Sequence, residues 1–314
     1  MSLGFVFPGQ GSQSVGMLAL LAQVYPQVQA TFAEASEVLG YDLWDLVRRG
    51  PEQQLNHTQY TQPAMLAAGI AVWRVWQHRQ ARMPSVMAGH SLGEYTALVC
   101  SGSLRFESAV ALVAERGRLM AEAVPEGEGA MAAVLGLEPA KVVEICEAAA
   151  QGEVVEAANL NAPEQVVIAG HAPAVERALR LAREAGAKRS VRLAVSIPSH
   201  CRSMTAAAER LAQSLEKVEF GTPTIPILHN VDAQFHQDPV AIRQALARQL
   251  YSPVRWTDTL QRLSEGGIAL LVECGPGKVL VGLAKRTIPA VKSYPVFDPQ
   301  TLEQALNESL RTPC

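Results

Sequence analysis

The sequence predicts an α/β protein: a mostly parallel sheet wrapped by helices, carrying a smaller inserted α+β unit. Three observations lead there. Short apolar runs that end in glycine-rich turns alternate with helix-period segments in the first and last thirds of the chain. The middle has its own rhythm of four short strands and two helices. The chain has 314 residues, 48% hydrophobic and 18% charged, which is ample for one large core plus an insert.

The elements follow in order. Leu3 to Phe7 is an apolar strand that runs into the turn Pro8-Gly-Gln-Gly-Ser-Gln13. Helical patterns continue through Arg82, with Pro51 and Pro63 as punctuation. Pro84 to Gly89 reads as a short buried strand, and Glu94–Cys100 and Glu107–Ala123 as helices separated by Ser101-Gly-Ser103. Then the rhythm changes. Ala130–Leu135 is a strand, Pro139–Ala150 a helix with proline near its start, and Val154–Ala158 a strand. Gln165–Ala169 is a strand, Pro173–Ala185 a helix, and Val191–Ile197 a strand with apolar residues at 191, 193, 195 and 197. The order β-α-β-β-α-β is the ferredoxin-like signature. The α/β pattern resumes with a strand at Ile225–Val231, a helix at Asp238–Tyr251 and a strand at Ala269–Cys274 before Gly275-Pro-Gly277.

Bulk properties exclude several classes. A formal net charge of -3 gives no global pull toward nucleic acid or an anionic membrane. No uncharged apolar run approaches the length of a membrane span. The N-terminus lacks a basic region before its apolar run and breaks at Pro8, unlike a signal peptide. Five scattered cysteines, never in a C-x-x-C pair, argue against a disulfide framework or a zinc site. A monomer in the cytoplasm, with no metal, is the resulting expectation.

Gly89-His90-Ser91-Leu92-Gly93 is a G-x-S-x-G sequence at a strand–turn–helix junction, the setting of a nucleophile elbow. Glycines permit close backbone approach, and the free N–H groups of the next helix face the serine. A serine N-cap is the plain alternative. A hydroxyl needs a base to take its proton. Of seven histidines, His200 is the best candidate, because it follows a strand end, where active sites of α/β folds gather. No aspartate lies between Ser91 and His200, so a dyad is expected, its histidine oriented by an uncharged group such as a backbone carbonyl. The turn after the first strand can offer the N–H of Gln10 beside that of Leu92 as oxyanion donors. It is not a dinucleotide fingerprint, since Ser14 stands where the third glycine belongs.

Arg116 sits on the apolar face of its helix, between Leu112, Val113, Leu119 and Met120, with no carboxylate at helical spacing. Arg118 differs, being flanked by Glu115 and Glu122. An inward cation either snorkels to the rim or meets an anion. If it enters the site, its planar guanidinium suits a carboxylate, which makes the acyl group a dicarboxylic half-thioester such as malonyl.

Seven motifs occur in order: Phe7-Pro-Gly-Gln-Gly-Ser12, Gly89-His-Ser-Leu-Gly-Glu94, Glu115-Arg-Gly-Arg118, the pair Asn159 and Asn161, Pro198-Ser-His200, Gln249-Leu-Tyr-Ser-Pro-Val-Arg-Trp256 and Glu273-Cys-Gly-Pro-Gly277. With these the chain closely resembles the bacterial malonyl-CoA:acyl carrier protein transacylases of type II fatty acid synthesis. The resemblance implies a hydrolase-like large domain, residues 1–125 and 199–314, with a ferredoxin-like subdomain at 126–198. It implies ping-pong transfer of malonyl from malonyl-CoA to the phosphopantetheine thiol of holo-acyl carrier protein, with no cofactor. Ser91 is then the nucleophile, His200 the base, and Gln249 orients the histidine through its main-chain carbonyl. Arg116 holds the malonyl carboxylate, Gln10 and Leu92 give the oxyanion donors, and Met120, Asn159 and Ser199 line the site. Arg202 either meets coenzyme or carrier phosphate or faces solvent, and Lys188-Arg189 either docks the carrier or is uncommitted. Competing readings are a serine thioesterase or esterase, a malonyl transferase of polyketide synthesis, and a carrier-docking protein without catalysis.

Overall fold

The computed structural model describes residues 2–125, 127–195 and 197–311. Nine strands are present among them: β1 Ser2–Phe7, β2 Val86–Gly89, β3 Gly129–Leu135, β4 Val155–Ala162, β5 Gln165–His171, β6 Arg189–Arg192, β7 Ile227–Leu228, β8 Ile268–Cys274 and β9 Lys292–Val296. They form two sheets. The first is parallel throughout, in the order β7-β2-β1-β8-β9. The second is antiparallel throughout, in the order β4-β5-β3-β6.

A central parallel strand must bury both faces, and the residues of β1 are apolar on each. Leu3, Phe5 and Phe7 point into the larger core, where the Phe5 ring meets Trp73 and Trp76 of helix Thr58–His78 edge-on at 5.6 and 5.0 Å. Val6 points the other way, toward Ala88, Leu228, Trp256 and Leu271. The central strands β1 and β2 therefore deliver their C-terminal turns side by side, with Phe7 opposite Gly89.

The antiparallel sheet lays helices Pro139–Ala150 and Ala172–Glu184 on one face, over Ala130, Ala132 and Val134 of β3. Its other face carries Met131, Val167 and Ala169, which close on Cys201. The sheet is also tied to the larger unit by backbone: Leu160 N donates to Val254 O and Val254 N to Ala158 O, both at 2.9 Å. The second sheet thus packs directly behind the segment that holds His200.

Four expectations change. Pro63 does not punctuate: it lies inside Thr58–His78, buried, where its ring forfeits only the bond to the Gln59 carbonyl within the second turn. The strand expected at 191–197 is β6, Arg189–Arg192, and its ladder ends when Leu193 N donates to Met131 O. Beyond that bond the alternation of Leu193 and Val195 with an exposed neighbour continues because both pack on the cluster around Cys201, so at Val195 the periodicity reports burial rather than pairing; Ser196 lies outside the described residues. The strand expected at 225–231 shrinks to Ile227–Leu228, because His229 and Asn230 turn away toward Glu94. β4 runs four residues further than expected, to Ala162, and so places both Asn159 and Asn161 on a strand. No helix of the described residues is long and apolar enough to cross a membrane.

Candidate active site

Ser91 stands between β2 and helix Gly93–Cys100 with φ 52°, a left-handed conformation that strains any residue with a side chain. The flanking glycines are steric necessities. A Cβ on Gly89 would lie 1.9 Å from the Gly93 carbonyl carbon, and one on Gly93 would lie 2.1 Å from the carbonyl oxygen of Phe7. Neither neighbour can yield, since both are backbone. Gly93→Ala is expected to destabilise the fold by at least about 3 kcal/mol, the upper range for overpacking, and urea unfolding checks it.

His200 is 4% exposed and also has positive φ, 64°. Its Nε2 lies 2.8 Å from Ser91 Oγ, and its Nδ1 lies 2.7 Å from the main-chain oxygen of Gln249. A carbonyl can only accept, so Nδ1 carries the proton and Nε2 is left as the acceptor for the serine hydroxyl. Burial, followed by the charge of Arg116, lowers the pKa of His200 to about 3. In the unfolded chain the imidazole takes up its proton near 6.5, while the folded one resists until about 3. The stability present above pH 6.5 is therefore lost progressively as the pH falls toward 3. His200→Gln should make the slope of unfolding free energy in that window shallower by up to about 1.4 kcal/mol per pH unit, as read by urea titrations at several pH values.

Arg116, on helix Phe106–Ala123, is 1% exposed, so it does not snorkel. Its Nη1 donates to Gln62 Oε1 at 2.7 Å, and its Nη2 lies 3.0 Å from Gln249 Oε1 and 3.2 Å from Ser91 Oγ. The guanidinium also sits over the Tyr95 ring, 5.5 Å from its centroid. Burial pulls the guanidinium below its usual range, opposed by Tyr95 and Glu94. Arg118 by contrast is half-exposed and paired with Glu115 and Glu122.

The other sequence candidates fall around this centre. Met120 Sδ accepts from Gln62 Nε2 at 3.3 Å. Gln10 sits in the turn after β1, where Thr58 donates to its side chain, and Gly9 is so close that a Cβ there would lie 2.5 Å from the His90 carbonyl. The N–H groups of Gln10 and Leu92 have no partner among the described residues. Asn159 is buried in β4, bridged by backbone to Val254. Ser199 directly precedes His200, its N–H folded back onto Ile197 O. His90 turns away from the nucleophile to Asn161, 2.8 Å from Nε2 to Oδ1.

Arg202 and Lys188 lie elsewhere. Arg202 is mostly exposed and paired with Glu156, and Lys188 is exposed and paired with Glu164. The described residues contain no cluster of histidines, cysteines and carboxylates able to hold a metal.

Three residues have no role assigned from the sequence, Glu94 among them although it closes the elbow motif. Gln62 fixes Arg116. Asn230 accepts from Ser91 N through Oδ1 at 2.6 Å and donates from Nδ2 to Gly89 O at 2.6 Å. Glu94 is completely buried and accepts from Asn230 N. Gln62 carried no local signal, since it closes the polar stretch Thr58-Gln-Tyr-Thr-Gln62 just before Pro63.

Known proteins match the chain along nearly its whole length. The acyl transferase domain family model matches residues 4–298. The malonyl CoA-acyl carrier protein transacylase of Salmonella typhimurium is 54% identical over 304 residues, 97% of this chain and 98% of that one. A solved structure of a type II PKS acyl-carrier protein in complex with its malonyl-transacylase superposes with a TM-score of 0.97 at 54% identity, covering 98% of this chain and all of that one. An acyl carrier protein S-malonyltransferase from Vibrio cholerae O1 gives 0.95 at 55% identity, covering 97% and 99%. The chain belongs to the acyl transferase domain family, among its malonyl CoA-acyl carrier protein transacylases.

Proposed function

We propose that this chain moves a malonyl group from malonyl-CoA to the phosphopantetheine thiol of an acyl carrier protein, through a malonyl ester on Ser91, and so supplies fatty acid synthesis. One observation carries the reading: a neutral base and a buried cation both reach the same oxygen, Ser91 Oγ, at 2.8 and 3.2 Å. The base makes the oxygen a nucleophile, and the cation selects an acyl group that bears a carboxylate.

The proposed steps use these contacts. His200 Nε2 takes the Ser91 hydroxyl proton as Oγ attacks the thioester carbonyl carbon. Charge gathers on the carbonyl oxygen, where the N–H groups of Gln10 and Leu92 receive it. Collapse breaks the carbon–sulfur bond, and the imidazolium returns its proton to the departing coenzyme A thiolate. The carrier's thiol then gives its proton to His200, attacks the ester and releases Ser91. Arg116 keeps Gln62 on Nη1 and Gln249 on Nη2, so its unpartnered Nε and the Nη2 contact now made to Ser91 Oγ are what it offers a carboxylate. Gln249 orients His200, while Met120, Asn159 and Ser199 line the acyl site.

No cofactor enters these steps. The architecture is read in the same terms, as a hydrolase-like domain of residues 1–125 and 199–314 with a ferredoxin-like subdomain at 126–198. The antiparallel order β4-β5-β3-β6 supports the latter. The chain is taken to work as a cytoplasmic monomer, with acyl carrier protein as its macromolecular partner. Intact-mass measurement after exposure to malonyl-CoA and acetyl-CoA tests the reading. A malonyl adduct on Ser91 that passes to holo-carrier protein is expected. Free malonate outrunning malonyl-carrier would mean a thioesterase instead.

A further inference from the structure

Glu94 is fully buried, and a carboxylate so placed is expensive unless its oxygens are satisfied. It lies in the first turn of helix Gly93–Cys100, where acidic residues commonly cap the helix, yet it accepts from no N–H of that helix. Its partners come from distant segments instead. Asn230 N and Gln249 Nε2 each donate to Oε2 at 2.9 Å, and His229 Nδ1 lies 2.8 Å from Oε1.

Each of the first two partners touches the reacting groups. Asn230 Oδ1 accepts from the N–H of Ser91. Gln249 accepts from His200 through its main-chain oxygen, receives Arg116 Nη2 on Oε1 at 3.0 Å, and donates from Nε2 to Ser91 O at 3.0 Å. Nucleophile, base and cation are thus all one residue removed from a single carboxylate.

We propose that Glu94 is a positioning residue that holds Ser91, His200 and Arg116 in register through Gln249 and Asn230. The chemistry depends on its being a carboxylate. Oε2 already accepts from Asn230 N, so the Gln249 amide turns its NH2 toward it while Oε1 faces Arg116. The amide also stands between carboxylate and guanidinium. Glu94 therefore balances the buried cation without occupying the edge that a substrate carboxylate needs. An amide at position 94 can keep an oxygen on the Asn230 and Gln249 N–H groups, but it turns an NH2 toward His229 Nδ1 and brings no charge to balance Arg116 through Gln249.

The inference rests on the malonyl-transfer reading, and the test separates the two. The full-length chain, E94Q, Q249A and the double variant are compared by melting temperature and by the single-turnover rate of Ser91 acylation from malonyl-CoA, followed by intact mass. E94Q is expected to slow acylation about 10²-fold, the usual effect of small displacements of reacting groups. In the Q249A background the same change should cost at least about tenfold less, since residues that act through one another are not additive. Acylation by E94Q within about threefold of wild type would overturn the proposal, as would a factor that repeats in full on top of Q249A. A lower melting temperature with an unchanged rate per folded molecule would also overturn it. Should E94Q fail to fold, Glu94→Asp keeps the charge but withdraws it by one methylene; it should acylate more slowly than wild type, and an equal rate refutes the idea. A wild-type chain that takes up no malonyl group would sink the functional reading, and this inference with it.

Discussion

Replacing Ser91 with alanine is expected to leave a folded chain that takes up no acyl group from malonyl-CoA. The change removes one oxygen that touches His200 Nε2 and Arg116 Nη2, and it leaves the Ser91 N–H bond to Asn230 in place. Alanine inherits the left-handed backbone at no greater cost than serine, so the melting temperature should move little. Turnover should fall by on the order of 10⁶, the scale seen when the nucleophile of a serine enzyme is deleted. His200→Ala should fall nearly as far, and the double variant no further, because the pair acts as one unit. Intact mass reads the adduct, and malonyl-carrier formation reads the turnover. A malonyl adduct persisting on S91A would move the nucleophile elsewhere.

Arg116→Ala carries the second large effect, and its sign depends on the substrate. For malonyl-CoA the variant leaves a carboxylate in a buried site with no cation, and removal of one partner of such a pair costs about 3–5 kcal/mol, or a loss of roughly 10²–10³-fold or more in kcat/KM. For acetyl-CoA no pair is lost. After burial, the charge of Arg116 is the next cause that depresses the His200 imidazole. Removing it should restore some basicity, so acetyl transfer should hold or rise. The ratio of kcat/KM for the two thioesters checks this, and an equal loss for both would count against the carboxylate role. The variant also strips Gln62 Oε1 and Gln249 Oε1 of their donor, a cost of about 1–3 kcal/mol for each buried acceptor. Its folding therefore has to be measured alongside.

What could be seen in the sequence was whatever is written locally. The elbow was legible because both of its glycines are demanded within five residues, by contacts of the turn with itself and with the strand beside it. Arg116 was legible because a cation among Leu112, Val113, Leu119 and Met120 breaks a helix-period pattern. The insert was legible because its strands and helices follow one another along the chain. Asn230 and Glu94 were not, since their partners lie 139 and 155 residues away and nothing near them in the chain marks the contact. The main-chain carbonyl at Gln249 is invisible for another reason: every residue has one, and only the resemblance to known transacylases pointed to it. β7 and β6 were misplaced because apolar alternation records which side chains are buried, while strand pairing is decided by the neighbour. At Val195 the neighbour is a side-chain cluster.

The contacts at Ser91 span 109 residues to His200, 139 to Asn230 and 158 to Gln249. Each closes a long loop, whose entropic cost is met only when the segments at both ends have found their places. During synthesis, a nascent chain that has not yet delivered residues 227–256 holds a serine at a sharp bend with no oriented base beside it. Coenzyme A thioesters would pass it unreacted. On the malonyl-transfer reading, acyl uptake by Ser91 would in that sense be a late event in the life of each molecule, and a covalent mark of chains that have finished folding.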